Sequence, residues 1–479
     1  MKKDTLTVLV EIDEQQVEAL RKTLAEVDTQ LAQGRFVPFA DIDSLHFASF
    51  VIVEIPDALP CLVFEANFDG DTEAFVTELV AAPAGREALG EIFSHCVGCP
   101  ESGERLGAFL LAHNVGADCY YTGCPGRSAR QVKQESALRH NVQHLIDEMP
   151  LRAGGGDPAP EAIHDAVRRK IGDIDLALRQ RPFLVRYGRQ ILRGIWWVLK
   201  RLFRIYLLVI AVLLFAFVAL AIAFGLLVTA DLALALLQFD VTRAATAAVG
   251  SALAETGQWL FWLVLPAVVI GGLLGLFLLT IRRRERRDRE HDRPWNSADR
   301  KQILERENGR GNIQNHFCSL TKVKSGRFRY LTLRTVLHTI NLAGRIYWNQ
   351  GKLGEIATIH FARWVIIERG DTHWLLFLTN YDGSWDSYLS DFIDQASNGV
   401  TAVWSNSEGF PRSKFLILEG SRDEQRFKNY ARNSQFPTLA WYQAYPTETV
   451  RNVDDNTAQR EALCAAPGKA DLDAWLRLV

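Results

Sequence analysis

Two rhythms of apolar and polar residues alternate along this chain, and the same succession of rhythms occurs twice. Thr5–Ile12 (TLTVLVEI) is short and β-branched, the pattern of a strand. After Asp13, which is placed to cap a helix, Val17, Leu20, Leu24, Val27 and Leu31 recur at helical spacing. Leu45–Glu54 and Leu62–Asn67 read as two strands joined by a proline-containing turn. Asp69-Gly70-Asp71 breaks the second strand, and Asp71 is placed to cap a helix over Thr72–Ala81. A short helical stretch ends at His113, Asp118–Thr122 reads as a closing strand, and Gly126–Met149 as a last helix.

The succession returns near the C-terminus. Phe317–Lys324 predicts a strand, Arg329–Trp348 a helix, and Ile359–Glu368 with Trp374–Asn380 a strand pair. Helices over Ser384–Ala396 and Arg422–Asn433 and a closing strand over Thr438–Gln443 follow. Landmarks match in order: His46 with His360, Glu54 with Glu368, and Asn67-Phe68-Asp69-Gly70 with Asn380-Tyr381-Asp382-Gly383. Tyr121-Thr-Gly-Cys-Pro125 likewise matches Tyr442-Gln-Ala-Tyr-Pro446. Each copy therefore reads as βαββαβ, a ferredoxin-like unit of α+β class, and the whole domain is duplicated.

Two further runs follow neither rhythm. Ile205–Thr229 and Trp259–Ile281 contain no charged residue, and about 20 apolar residues suffice to cross a bilayer. Trp196, Trp197, Trp259 and Trp262 stand at their ends, and arginines crowd before the first run and after the second. The connection 230–258 holds Arg243 against Asp231, Asp240 and Glu255. This pattern predicts a two-helix transmembrane hairpin in a multi-pass inner-membrane protein with both termini cytoplasmic. Its arginine clusters would meet anionic lipid headgroups. The expected organisation is repeat 1 at 1–150, a linker and basic amphipathic helix at 151–204, and spans at 205–229 and 259–281. A charged linker at 282–311 and repeat 2 at 312–479 complete it.

Composition adds bounds. The net charge of −2 gives no basic footprint for nucleic acid, and 479 residues exceed one ordinary domain. The start, MKKDTLTVLVEIDEQQ, has no apolar core of a signal peptide, and seven cysteines fit a reducing compartment. No phosphate loop, dinucleotide fingerprint, nucleophile elbow or HExxH helix is present.

A four-stranded ferredoxin-like sheet leaves one apolar face bare, so the two copies are expected to pair as a pseudo-dimeric α/β barrel. The element order and the duplicated His-Phe-Ala and Asn-[Phe/Tyr]-Asp-Gly strings resemble the dimeric α/β-barrel superfamily. That superfamily includes dye-decolorising peroxidases, chlorite dismutases, small monooxygenases and non-catalytic stress proteins. The resemblance covers roughly 1–150 and 312–465. It implies a fold, and with it haem as a cofactor to be considered, although Thr379–Gly383 supplies only the Asp-Gly of the peroxidase string.

Candidate chemistry gathers in the second copy. His360, Arg363, Asp382 and Asn380 could act as acid/base, anion-polarising group and carboxylate, with His46, Asp69 and Asn67 as the first copy's counterparts. The plain alternatives are a structural histidine, an ion pair, and an Asp-Gly turn that caps a helix. Arg363 stands where the first copy has Ser49, and Trp364, His373, Trp385 and Tyr388 are also peculiar to the second. Cys96, Cys99, Cys119 and Cys124 could close a zinc site, form a redox pair, or be ordinary buried thiols. Two functions stand side by side: an oxidative enzyme acting on a hydrophobic or membrane-derived small molecule, and a non-catalytic ligand-binding or assembly module at the membrane surface. Self-association is a further expectation.

Overall fold

In the computed structural model the described residues are 3–36, 39, 41–148, 160–171, 196, 269–288, 297–309, 311, 313–346, 356–464 and 472–478. The first copy forms β1 (Lys3–Glu11), α1 (Val17–Ala32), β2 (Leu45–Val53), β3 (Cys61–Asp69), α2 (Thr72–Ala81), α3 (Pro83–Ser94), α4 (Leu106–Ala112), β4 (Cys119–Thr122) and α5 (Ala129–Asp147). Helices α6 (Pro160–Ile171) and α7 (Ser297–Glu307) precede the second copy. That copy forms β5 (Gln314–Lys322), α8 (Arg327–Ile346), β6 (Ile359–Arg369), β7 (Thr372–Asp382), α9 (Trp385–Gln395) and α10 (Ser397–Trp404). A small ribbon of β8 (Ser413–Lys414) and β9 (Leu418–Glu419) leads to α11 (Glu424–Asn433), β10 (Gln435–Phe436), β11 (Thr438–Gln443), α12 (Val450–Cys464) and α13 (Leu472–Leu476).

Local signals act as expected. Leu20, Leu24 and Val27 are the buried stripe of α1, and the Asp13 carboxylate accepts from Gln15 N–H at 3.0 Å. Asp71 accepts from Glu73 N–H at 3.1 Å to start α2, and Ser384 from Ser387 N–H at 3.2 Å to start α9.

The sheets do not follow the expected units. One has the order β1-β3-β2-β11, the other β10-β5-β7-β6-β4. The closing strand of each copy has crossed into the other copy's sheet: β4 runs antiparallel to β6, and β11 to β2. This overturns the expectation of two self-contained ferredoxin-like repeats. The physical reason is that apolar periodicity specifies a strand and its buried face but not the edge it joins. Gly123, just after β4, shows how closely the exchanged strand approaches: its N–H donates to His360 O at 2.8 Å, and a Cβ there would meet Ile359 O at 1.9 Å. The equivalent Ala444 N–H donates to His46 O at 2.9 Å.

Each strand puts alternate residues on opposite faces. Leu62, Phe64 and Phe68 of β3 pack under α1–α4, and Trp364 and Phe377 of β6 and β7 pack under α9–α11. The other faces meet: Val51, Val53 and Val63 share a core with Val365, Leu376 and Leu378. The result is a four-layer α/β/β/α arrangement of mixed α and β structure, built from two open sheets rather than a closed barrel. Helix α7 straps the exchanged strand in place. Arg306 is bidentate to Asp28 of α1 (2.8 and 3.3 Å) and donates to Thr438 O at 2.9 Å.

The predicted transmembrane hairpin, and with it the multi-pass membrane location with cytoplasmic termini, is likewise corrected. Among the described residues no helix is long and apolar enough to cross a membrane. The first run, 205–229, lies outside the described residues. Of the second, a helix is described over 269–285, and its apolar part ends at Ile281 before three consecutive arginines. Residues 259–268 of that run likewise lie outside the described residues.

Because each half completes the other's sheet, residues 1–171 and 297–479 produced as two separate polypeptides should co-purify through a tag on either one. Deleting Thr438–Gln443 from the second should abolish that association. Recovery of two independent, folded monomers by size-exclusion chromatography would contradict the exchange.

Candidate functional site

His46 and His360 occupy equivalent irregularities. The β2–β3 register shifts between Leu45 and Phe47, and the β6–β7 register between Ile359 and Phe361. A bulge re-aims a side chain that alternation would send to the other face. Here it brings both histidines to the inner side. Their rings interlock across the sheets: His46 lies 5.1 Å from the Phe361 ring, His360 lies 5.2 Å from the Phe47 ring, and the two phenylalanines are 5.7 Å apart.

Each histidine faces the aspartate of its own copy. His46 Nε2 is 3.2 Å from Asp69 Oδ2, and His360 Nε2 is 2.7 Å from Asp382 Oδ1. The carboxylates also accept from helix starts, Asp69 from Ala129 N–H of α5 and Asp382 from Val450 N–H of α12, both at 2.8 Å. They therefore sit at the positive ends of distant helices and do not cap the helix that follows their own turn. The exchanged strands supply the last partners. Tyr445, just beyond β11, places its hydroxyl 2.8 Å from His46 Nδ1, and Cys124, just beyond β4, contacts His360.

The two dyads differ electrostatically. Burial, with the ammonium of Lys3 beside it, outweighs Asp69 and lowers the His46 pKa to about 4. Burial also penalises the charged form of His360, but the charge and hydrogen bond of Asp382, with Cys124 behind it, raise its pKa to about 9. Besides burial and Cys124, one pair of positions contributes to the difference. Lys3 lies opposite Asp69 on β1 in the register in which Gln314 lies opposite Asp382 on β5. Lys3 Nζ is 3.3 Å from His46 Nε2, and Gln314 Nε2 is 3.3 Å from His360 Nε2.

Deeper between the sheets lies a second polar group, centred on Glu65, which is 1% exposed. Its Oε2 is 2.8 Å from His316 Nε2 and accepts from Ser49 at 3.2 Å. Its Oε1 accepts from Asn67 (2.8 Å) and Asn380 (3.2 Å) and lies 3.1 Å from Arg363 Nη2. Arg363 reaches from β6 into the opposite sheet, donating to Leu6 O (2.7 Å), Thr7 Oγ1 (2.9 Å), Ala66 O (3.0 Å) and Asn67 Oδ1 (2.6 Å). Burial alone would raise the Glu65 pKa, but Arg363 and His316 hold it down at about 2.

The structure thus gathers His360, Asp382, His46 and Asp69 in one layer, and Arg363, Asn380 and Asn67 in another. All are buried: His46, Asn67, His360 and Arg363 are 0% exposed, Asn380 1%, and only Asp382 at 7% and Asp69 at 9% keep an edge at the surface. Of the other residues peculiar to the second copy, Trp364 packs under the helices and Tyr388 stacks on Tyr381. Trp385 lies beneath Arg432, and His373 lies beside Tyr330. The four cysteines are not brought together. Cys96 and Cys99 belong to the helical side of the first sheet, Cys119 to that of the second, and Cys124 to the interior by His360. Among the described residues no cluster of three or more His, Cys, Asp or Glu could hold a metal ion. A haem iron would need a free imidazole nitrogen facing open space; both His Nε2 atoms are engaged by carboxylates, and His360 Nδ1, which makes no hydrogen bond, is fully buried. The residues present do not fit haem.

Sequence reasoning missed Glu65, His316, Gln314, Lys3 and Tyr445. For Glu65 a signal existed: a lone carboxylate in the centre of the apolar run Leu62–Asn67. What these elements define is a class, a duplicated, strand-exchanged α/β/β/α sandwich with a sealed polar interior. No protein-family model matches the chain, and neither a curated protein nor a solved structure matches it.

Two outcomes are expected. His46, with its pKa depressed below about 6.5, contributes stability above that pH which is lost as pH falls through about 4. His360, with its pKa raised, contributes stability below about 6.5 which is lost as pH rises through about 9. Each contribution is on the order of 3 kcal/mol, so these dyads should give maximal stability near pH 6.5. Lys3→Gln should raise the His46 pKa and Gln314→Lys lower that of His360, both read from imidazole NMR titrations. Unchanged titrations would refute the Lys3/Gln314 account. Separately, Glu65→Leu or Arg363→Leu alone should cost about 3–5 kcal/mol in urea denaturation, the double variant much less than the sum.

Proposed function

We propose that this chain is a non-catalytic ligand-binding or assembly module whose buried histidines, carboxylates and arginine fix the pairing of its two halves. One observation carries the reading. His360, Arg363, Asn380 and Asp382, the set best suited to catalysis, are all buried, and each has partners within the chain. A general acid or base must reach a substrate proton at hydrogen-bond distance. The groups in question are already engaged with one another and with backbone. An interior of this kind specifies which surfaces meet, and leaves the outer helical layers for recognition.

The reading separates from an oxidative enzyme by two measurements on purified protein. Added haemin should produce no stoichiometric Soret band, and His360→Gln and Asp382→Asn should each lower unfolding free energy by about 2–3 kcal/mol. A one-to-one haem complex that His360→Gln abolishes without loss of fold would sink the proposal.

A further inference from the structure

The interior histidines leave one chemically capable pair unused. Cys96-Val97-Gly98-Cys99 follows α3 and forms a tight turn, with Cys99 N–H donating to Cys96 O at 3.3 Å and Gly98 at φ +74°. A β-turn holds its first and fourth Cα atoms within about 7 Å, and disulfides span Cα separations of about 4.4–6.8 Å. The turn is anchored to β1: Val97 N–H donates to Glu11 O at 2.8 Å, Asp13 N–H to His95 O at 3.1 Å, and Cys96 bridges Ile12. Oxidation therefore requires no rearrangement of the strands.

Both cysteines line a cleft of about 720 Å³ between α3 and the segment leading to α4, a volume in the range of small-molecule sites. Arg86, Glu87 and Glu101 stand in its wall. Arg86 Nε is buried with no hydrogen-bond partner, and its side chain lies along Gly103, where a Cβ would come within 3.6 Å of Arg86 Cδ. A cleft that offers one guanidinium, two carboxylates and two thiols suits a small zwitterionic disulfide of the γ-glutamyl peptide kind.

We propose that Cys96 and Cys99 are a redox dithiol that exchanges with such a disulfide bound in this cleft. The Cys99 thiolate attacks one sulfur of R–S–S–R, forming a Cys99–S–S–R bond and releasing one thiolate, which takes up a proton. The Cys96 thiolate then attacks Cys99 Sγ and expels the second. Two Cys–SH and one R–S–S–R become one Cys96–Cys99 disulfide and two R–SH, so the two electrons leave on the small thiols. Cys99 is half-buried and Cys96 only 5% exposed, which assigns Cys99 as the attacking and Cys96 as the resolving thiol. Burial pushes the Cys96 thiol up to about 12 and raises that of Cys99, so exchange accelerates as pH rises. This goes beyond the assembly role and does not depend on it.

The test uses the full chain incubated with oxidised glutathione at mildly alkaline pH, then alkylated and mapped by non-reducing peptide mass spectrometry. The expected product is lighter by two hydrogens and linked Cys96 to Cys99, with Cys61→Ser reacting as wild type. Cys96→Ser should stop at a glutathione adduct on Cys99. Arg86→Ala should slow the reaction with oxidised glutathione by about tenfold, while leaving that with neutral hydroxyethyl disulfide unchanged. Pairing of Cys96 with Cys61, a lasting wild-type adduct on Cys99, or two thiols still free where dithiothreitol is fully oxidised would overturn the dithiol. Equal slowing of both disulfides by Arg86→Ala would overturn the proposed recognition.

Discussion

A carboxylate with no route to water sits between two sheets, and it stays ionised because the other half of the chain sends an arginine to meet it. Glu65 comes from β3, Arg363 from β6, and neither would be tolerated alone at that depth. Burying an unpaired charge costs several kcal/mol, so the pair favours only arrangements in which both sheets face each other in this register. The pair is also one-sided. Arg363 stands where the first copy has Ser49, and Leu378, opposite Arg363, stands where the first copy has Glu65. The duplicated halves are thereby complementary rather than interchangeable, and pairing one half with a second copy of itself would leave like residues facing one another.

The strand exchange enforces the same mutual dependence by other means. Cys124 contacts His360 because β4 has joined the second sheet, and Tyr445 reaches His46 because β11 has joined the first. Each dyad therefore has ligands from both halves, although its histidine and aspartate come from one. Burial with Lys3 beside His46, and Asp382 with Cys124 beside His360, then give one buried histidine that is neutral near pH 7 and one that is charged. Equal folds with unequal charge states are what a duplication permits once its copies no longer have to be identical.

The duplication itself was legible in the sequence because its landmarks are physical necessities. Asp13 and Asp71 start helices, the apolar runs make strands, and His46 and His360 mark the same site in both copies. What could not be read was partner choice. A strand such as Cys119–Thr122 carries the same alternation whichever edge it joins. The bulges at His46 and His360 escaped for a related reason, since one extra residue in a ladder leaves no trace in composition. Asp69 and Asp382 looked like caps of the next helix, and they do meet helix starts, but those of α5 and α12 much later in the chain. Here a sequence rule identified the right chemistry and the wrong partner.

The recurrence of His, Asp and Asn in both copies invites a catalytic reading, but recurrence within one chain shows only that a position predates the duplication. Geometry weighs the other way. A catalytic histidine needs one ring nitrogen directed at a substrate, whereas His46 has carboxylate and phenol on its two nitrogens and an aromatic ring against its side. His360 is held by Asp382 on Nε2, its Nδ1 makes no hydrogen bond but is buried, and its ring packs against Phe47 and Tyr445. Opening either site to admit a ligand would separate strands that close two sheets at once, at a cost comparable to local unfolding. Chemistry is less costly at the surface, where the Cys96–Cys99 turn leaves Val97 47% exposed, and its anchors to β1 are backbone bonds that oxidation leaves in place.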